Sequence, residues 1–110
     1  MKWVIAFSCL LMVAGCCEEP PRDVQALVDV HGCGSCHRIP GIPGATGRTG
    51  PPLMEYHRQV YVAGILPNTR ETLALFIEDP RAIDPRSAMP DVGVTAEEAT
   101  LLADYLRSEP

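Results

Sequence analysis

The stretch Cys33-Gly34-Ser35-Cys36-His37 decides how this chain is read. Two thiols two residues apart reach one edge of a planar macrocycle and form thioethers with its two vinyl groups. The adjacent imidazole then points at the metal in the ring. Cys-x-x-Cys-His is the attachment pattern of c-type haem. Three other chemistries use paired cysteines. A thioredoxin-like dithiol sits on a βαβ background, and no such alternation is visible in this sequence. A four-ligand zinc site needs a second ligand pair at finger spacing, which His31 and His57 do not supply. A disulfide across so tight a turn is strained. The expectation is one haem c, attached at Cys33 and Cys36, with His37 as an axial ligand of the iron.

Haem iron takes a further axial ligand on its other face. The candidates are Met54, Met89, His31 and His57. Met89 leads. It lies in Ser87-Ala88-Met89-Pro90, in a loop between two capped helices, far enough from His37 to wrap the other side of a ring. Pro90 fixes the backbone just after it. Met54 otherwise reads as core filler, and His31 as a helix-surface residue beside the attachment turn. His57, otherwise a surface or propionate-side residue, is the main rival.

Outward from the motif, the chain reads as helices joined by long loops. Asp23 is a candidate N-cap, and Val24, Leu27, Val28 and His31 share one helical face that ends at Gly32. From Arg38 to Leu53 the chain is loop, dense in Pro and Gly. A loop that long in so small a domain needs a reason. Met54–Gly64 is ambiguous, with a short helix turning at Gly64 as one reading. Asn68-Thr69-Arg70-Glu71 reads as a capping box with Asn68 in the cap position. Its helix carries Leu73, Phe76 and Ile77 and stops at Asp79-Pro80. Pro80–Val94 is a second long loop. Thr95-Ala96-Glu97-Glu98 is another capping box, followed by Ala99, Leu102, Ala103 and Leu106 at helical spacing, with Tyr105 beside them. No strand pattern stands out, so the fold class is all-α.

The N-terminal segment differs in kind. Lys2 precedes an apolar run of about 12 residues, too short to span a bilayer, which needs about 20. It suits the apolar region of a secretory signal. Val13-Ala14-Gly15-Cys16 looks like a bacterial lipobox, with Cys16 as the lipidated residue. The plainer alternative is an ordinary secretory signal that ends near a cysteine. Cys17 is a weaker acceptor, and Cys9 leaves with the signal. The expected organisation is a lipoprotein signal over 1–15, a lipidated tether over 16–22 and a haem domain over 23–110.

Composition bounds the function. The chain has 110 residues and a formal charge of −5, which fits one small domain and excludes a multidomain enzyme. After residue 15, eight arginines face 14 acidic residues, with no lysine and no tryptophan. That acidic balance excludes a nucleic-acid partner. Hydrophobic content of 46% excludes intrinsic disorder. Only 5% aromatic residues, with 11 Pro and 9 Gly, leave a thin core that needs a cofactor or staple.

From about Val24 to Arg107 the chain resembles a small class I cytochrome c of bacterial type. Three motifs carry the resemblance: Cys33-Gly34-Ser35-Cys36-His37, Gly50-Pro51-Pro52-Leu53 and Ala88-Met89-Pro90. The resemblance implies a small cytochrome c fold, with about three main helices around the haem and the first and last crossing at a right angle. It implies that the Pro51 carbonyl accepts a hydrogen bond from His37, that Leu53 packs on the haem, and that Arg58, Tyr61 or Asn68 meets the propionates. Val28 stands where the family carries an aromatic, and the lysine ring of the mitochondrial type is absent. The implied function is a membrane-anchored carrier of single electrons, not an enzyme, at the periplasmic face of a bacterial membrane. Its protein partners would be a quinol-oxidising complex or dehydrogenase as donor, and a terminal oxidase or reductase as acceptor. Alternatives are a fixed haem subunit of such a complex and a haem-based sensor or peroxidase. The apolar segments Ile39–Pro43, Ile83 and Ala88–Pro90 are expected at the haem edge, as the centre of an apolar docking contact.

Overall fold

The computed structural model describes residues 22–108. The expected signal, Cys9, Cys16, Cys17 and nearly all of the tether lie outside the described residues. Within them the chain is mostly helical: α1 covers Arg22–His31, α2 Arg70–Glu78, α3 Pro80–Ile83 and α4 Ala96–Ser108. None of these helices is long and apolar enough to cross a membrane.

α4 is the spine. Ala99, Leu102, Ala103, Tyr105 and Leu106 are all buried on it, as the helical spacing predicts. Each fully buried leucine contributes about 1.5–3 kcal/mol relative to exposure. Its start is the expected capping box: Glu98 N–H donates to Thr95 Oγ1 at 3.2 Å, and Thr95 N–H to Glu98 Oε1 at 3.4 Å. α2 and α1 both pack on α4, burying Leu73 and Ile77 from α2 and Val24 and Val28 from α1. The Tyr105 hydroxyl donates to the Pro40 carbonyl and ties α4 to the loop after the cysteine motif.

Several local expectations are corrected. Asp23 lies inside the first turn of α1, not at its cap. Thr69, not Asn68, caps α2: its Oγ1 accepts from Thr72 N–H at 3.1 Å, and Thr72 Oγ1 accepts from Thr69 N–H at 2.9 Å. Asn68 is withdrawn to another task, donating through Nδ2 to the Tyr56 and Gln59 carbonyls at 3.0 and 2.9 Å. Pro80 does not open a loop. It takes the first position of α3, where a missing N–H costs nothing, and Asp79 caps that turn by accepting from Ala82 N–H at 3.2 Å.

A two-stranded antiparallel ribbon also interrupts the helical pattern, β1 at Tyr61–Val62 paired with β2 at Leu66–Pro67. Its turn places Ala63 and Gly64 in succession at φ of 52° and 69°, with Ile65 N–H donating to the Val62 carbonyl at 3.0 Å. Two left-handed residues in a row match the twist of a hairpin. Ile39 and Ile42, expected at an exposed edge, are instead core residues, each 6% exposed.

Candidate functional site

Gly32 turns the chain out of α1 at φ 69°, the left-handed conformation that glycine adopts without penalty. The next residues wind into a tight turn. Cys36 N–H and His37 N–H both donate to the Cys33 carbonyl, at 3.3 and 3.0 Å. Cys33 and Cys36 are free, half-buried thiols. Burial pushes the Cys33 thiol up, so it is held protonated near neutral pH.

The loop over 38–53 is long because it threads back under this turn. Gly47 N–H donates to the Gly34 carbonyl at 3.0 Å and Gly50 N–H to the Cys36 carbonyl at 2.8 Å. Side chains do not fit at these crossings. A Cβ on Gly47 would lie 2.4 Å from the Ser35 carbonyl oxygen, and one on Gly50 would lie 2.6 Å from His37 Cε1. The thread ends at Pro51, whose carbonyl accepts from His37 Nδ1–H at 2.7 Å. A carbonyl only accepts, so Nδ1 carries a proton and is taken up by Pro51, which leaves Nε2 as the nitrogen that can offer a lone pair when the ring is neutral.

Beside this turn lies a cavity of about 510 Å³. Cys33, Cys36 and His37 line one part of it, and Leu53, Phe76, Met89, Leu102 and Leu106 are among its apolar walls. Met89 is half-buried, and its N–H donates to Ser87 Oγ at 3.2 Å in a local turn that fixes the loop at that point.

The structure sorts the other candidates. Met54 is 43% exposed and His57 is also exposed; neither lines the cavity. His31 does, but both its nitrogens are engaged: Nδ1 with the Val92 carbonyl at 3.2 Å and Nε2 with Glu98 Oε2 at 2.9 Å. It is thus a bridging residue, not the helix-surface residue expected. Pro51 and Leu53 line the cavity as expected. Arg58 does not; it is exposed and pairs with Glu55 at 3.6 Å. Tyr61 is 55% exposed. Asn68 braces the Tyr56 turn and accepts from Arg107 Nη1 at 2.8 Å through Oδ1. Arg86 also lines the cavity, a place that sequence reasoning did not assign it, taking it only as a cation near the apolar segment Ala88–Pro90.

The residues present fit a covalent haem. Two free thiols, an imidazole whose Nδ1 is held by the Pro51 carbonyl and a thioether share one largely apolar cavity of a size suited to a cofactor. No protein-family model matches the chain, and no curated protein matches it significantly.

Proposed function

We propose that this chain is a small bacterial class I cytochrome c, a mono-haem carrier of single electrons held by a lipid on Cys16 at the periplasmic face of a membrane. The observation that supports it most is the meeting of four side chains, Cys33, Cys36, His37 and Met89, on one cavity. Haem c, when bound, supplies a one-electron store whose potential is raised by methionine ligation.

The protein's own residues do the rest. Cys33 and Cys36 hold the ring covalently. Pro51 fixes the His37 tautomer and orients its ring, an outer contact that raises ligand basicity. Met89 offers a neutral sulfur from a loop braced by Ser87. Leu53, Phe76, Leu102 and Leu106 exclude water. His37 and Met89 together would hold the iron and leave no position for a substrate, which favours a carrier over an enzyme. Its partners are redox proteins outside the cytoplasm, a quinol-oxidising complex or dehydrogenase as donor and a terminal oxidase or reductase as acceptor.

The test is direct. Denatured protein should retain its haem through acidic acetone extraction, and Met89→Ala should abolish the weak long-wavelength band of sulfur–ferric coordination and lower the potential. Haem lost to the organic phase would sink the proposal. A band that survives Met89→Ala and disappears in Met54→Ala or His57→Ala would reassign the ligand.

A further inference from the structure

His31 occupies the last turn of α1, and its side chain is only 11% exposed. Its two ring nitrogens meet two groups from elsewhere in the chain, and both are pure acceptors. The Val92 carbonyl faces Nδ1 at 3.2 Å, and the Glu98 carboxylate faces Nε2 at 2.9 Å. A neutral imidazole has one N–H and satisfies only one of them; the imidazolium satisfies both.

Val92 lies three residues after Met89, with Pro90 stiffening the link between them. Glu98 lies in the first turn of α4 and also closes its capping box. One ring therefore joins the end of α1, the loop that carries Met89 and the start of α4. We propose that His31 is a positioning residue for Met89: as an imidazolium it straps the Val92 carbonyl in place, and so couples presentation of the Met89 sulfur to the His31–Glu98 ion pair. The proposal rests on the haem reading above.

The surrounding charges agree with this state. Glu98 is the carboxylate that pairs with the ring among the described residues. The charged groups closest in sequence to these contacts are Glu97 on α4, Asp91 in the loop and Asp29 on α1, all acidic; the same segments also carry Asp23, Asp84 and Asp104 and the cations Arg22, Arg107 and Arg86, the last of which lines the cavity with His31. Asp91 is engaged by Gly93 N–H at 2.9 Å. The hydrogen bond to Glu98 raises the pKa of His31, with burial opposing and the Val92 carbonyl assisting.

The experiment follows the sulfur–ferric band of the holoprotein against pH, beside the ring titration of His31 by NMR. In the unaltered protein part of the band should be lost in a one-proton step that coincides with that titration. Glu98→Gln keeps an acceptor for Thr95 N–H, and hence the cap, but removes the charge; both midpoints should move together to lower pH. His31→Leu should show a weaker band at all pH values and no such step. A profile identical in all three proteins, or a step that does not track the His31 titration, overturns the strap. Covalent haem with an unaltered profile overturns the strap alone, whereas absence of covalent haem overturns both readings.

Discussion

At the scale of single residues, the site is built as much by absent side chains as by present ones. Gly50 sits against the face of the His37 ring, and a Cβ there would lie 2.6 Å from Cε1 and 2.8 Å from Nδ1. Gly50→Ala should therefore push the imidazole off the Pro51 carbonyl. The cost should be about 1–3 kcal/mol of stability, the range for overpacking, together with a lowered reduction potential; a denaturant midpoint and a redox titration would check both. An unchanged potential would mean that the ring does not need the contact. The sequence singled out Cys33, Cys36, His37 and Met89 by residue type and spacing, and Pro51 through the resemblance alone; the structure brings all five to one cavity. The sequence did not make Gly47 or Gly50 legible as close approaches, because only the three-dimensional thread of the loop brings them under the turn. His31 was misread for a related reason. Helical periodicity gives the face of a residue but not its partners 61 and 67 positions away.

At the scale of elements, the long periodic helices were readable and the short ones were not. α4 declared itself through five buried positions at helical spacing. α3 is one turn, and its Asp79-Pro80 start is the same dipeptide that stops α2, so one signal serves two elements. The ribbon escaped notice because Ala63 stands where Asn or Gly usually marks such a turn. The cap of α2 slipped by one residue because Asn68 and Thr69 both suit a cap, and only the tertiary bonds of Asn68 decide between them. Two variants should separate these tasks. Thr69→Ala should cost about 1 kcal/mol, the usual loss of a cap. Asn68→Ala removes donors to two carbonyls and an acceptor from Arg107, so it should cost more than the cap. Equal midpoints in chemical denaturation would show that the brace adds nothing. The His31–Glu98 pair, which joins α1 to α4, gives a pH dependence of known sign. The His31 pKa is raised above its ordinary 6.5, so its contribution is fully present below that value and fades as pH rises through the folded pKa. The Glu98 pKa is lowered from 4.5, chiefly by His31, so its contribution is present above 4.5 and fades as pH falls through the folded pKa. Stability from this pair should peak between about pH 4.5 and 6.5. His31→Leu should lower the thermal midpoint within that window and remove the fall on either side of it that the pair causes.

At the scale of the whole molecule, the cavity governs whether the fold stands alone. Its walls come from three helices and the loops between them: Val28 on α1, Leu73 and Ile77 on α2, Leu102 and Leu106 on α4, and loop residues such as Leu53 and Met89. These residues belong to the hydrophobic core, so part of the core is also cavity wall, whereas Val24, Val62, Ala99 and Ala103 are core residues that do not line it. Enclosed voids left by truncating core side chains cost about 24 cal/mol per Å³. This cavity of about 510 Å³ is partly open to solvent, so what counts against the fold is the apolar wall it exposes, set against a total stability of only about 5–15 kcal/mol for a small domain. The chain therefore should not hold this structure with the cavity open. The double variant Cys33→Ala/Cys36→Ala, purified without haem, should lose most of its helical circular dichroism. It should bind a hydrophobic dye and melt without a cooperative transition, the behaviour of a chain that has lost specific packing. A sharp, cooperative melt at the holoprotein's helical content would show that the wall residues form a sufficient core by themselves. It would also remove the thin-core argument that ties this composition, poor in aromatics and rich in Pro and Gly, to a bound cofactor.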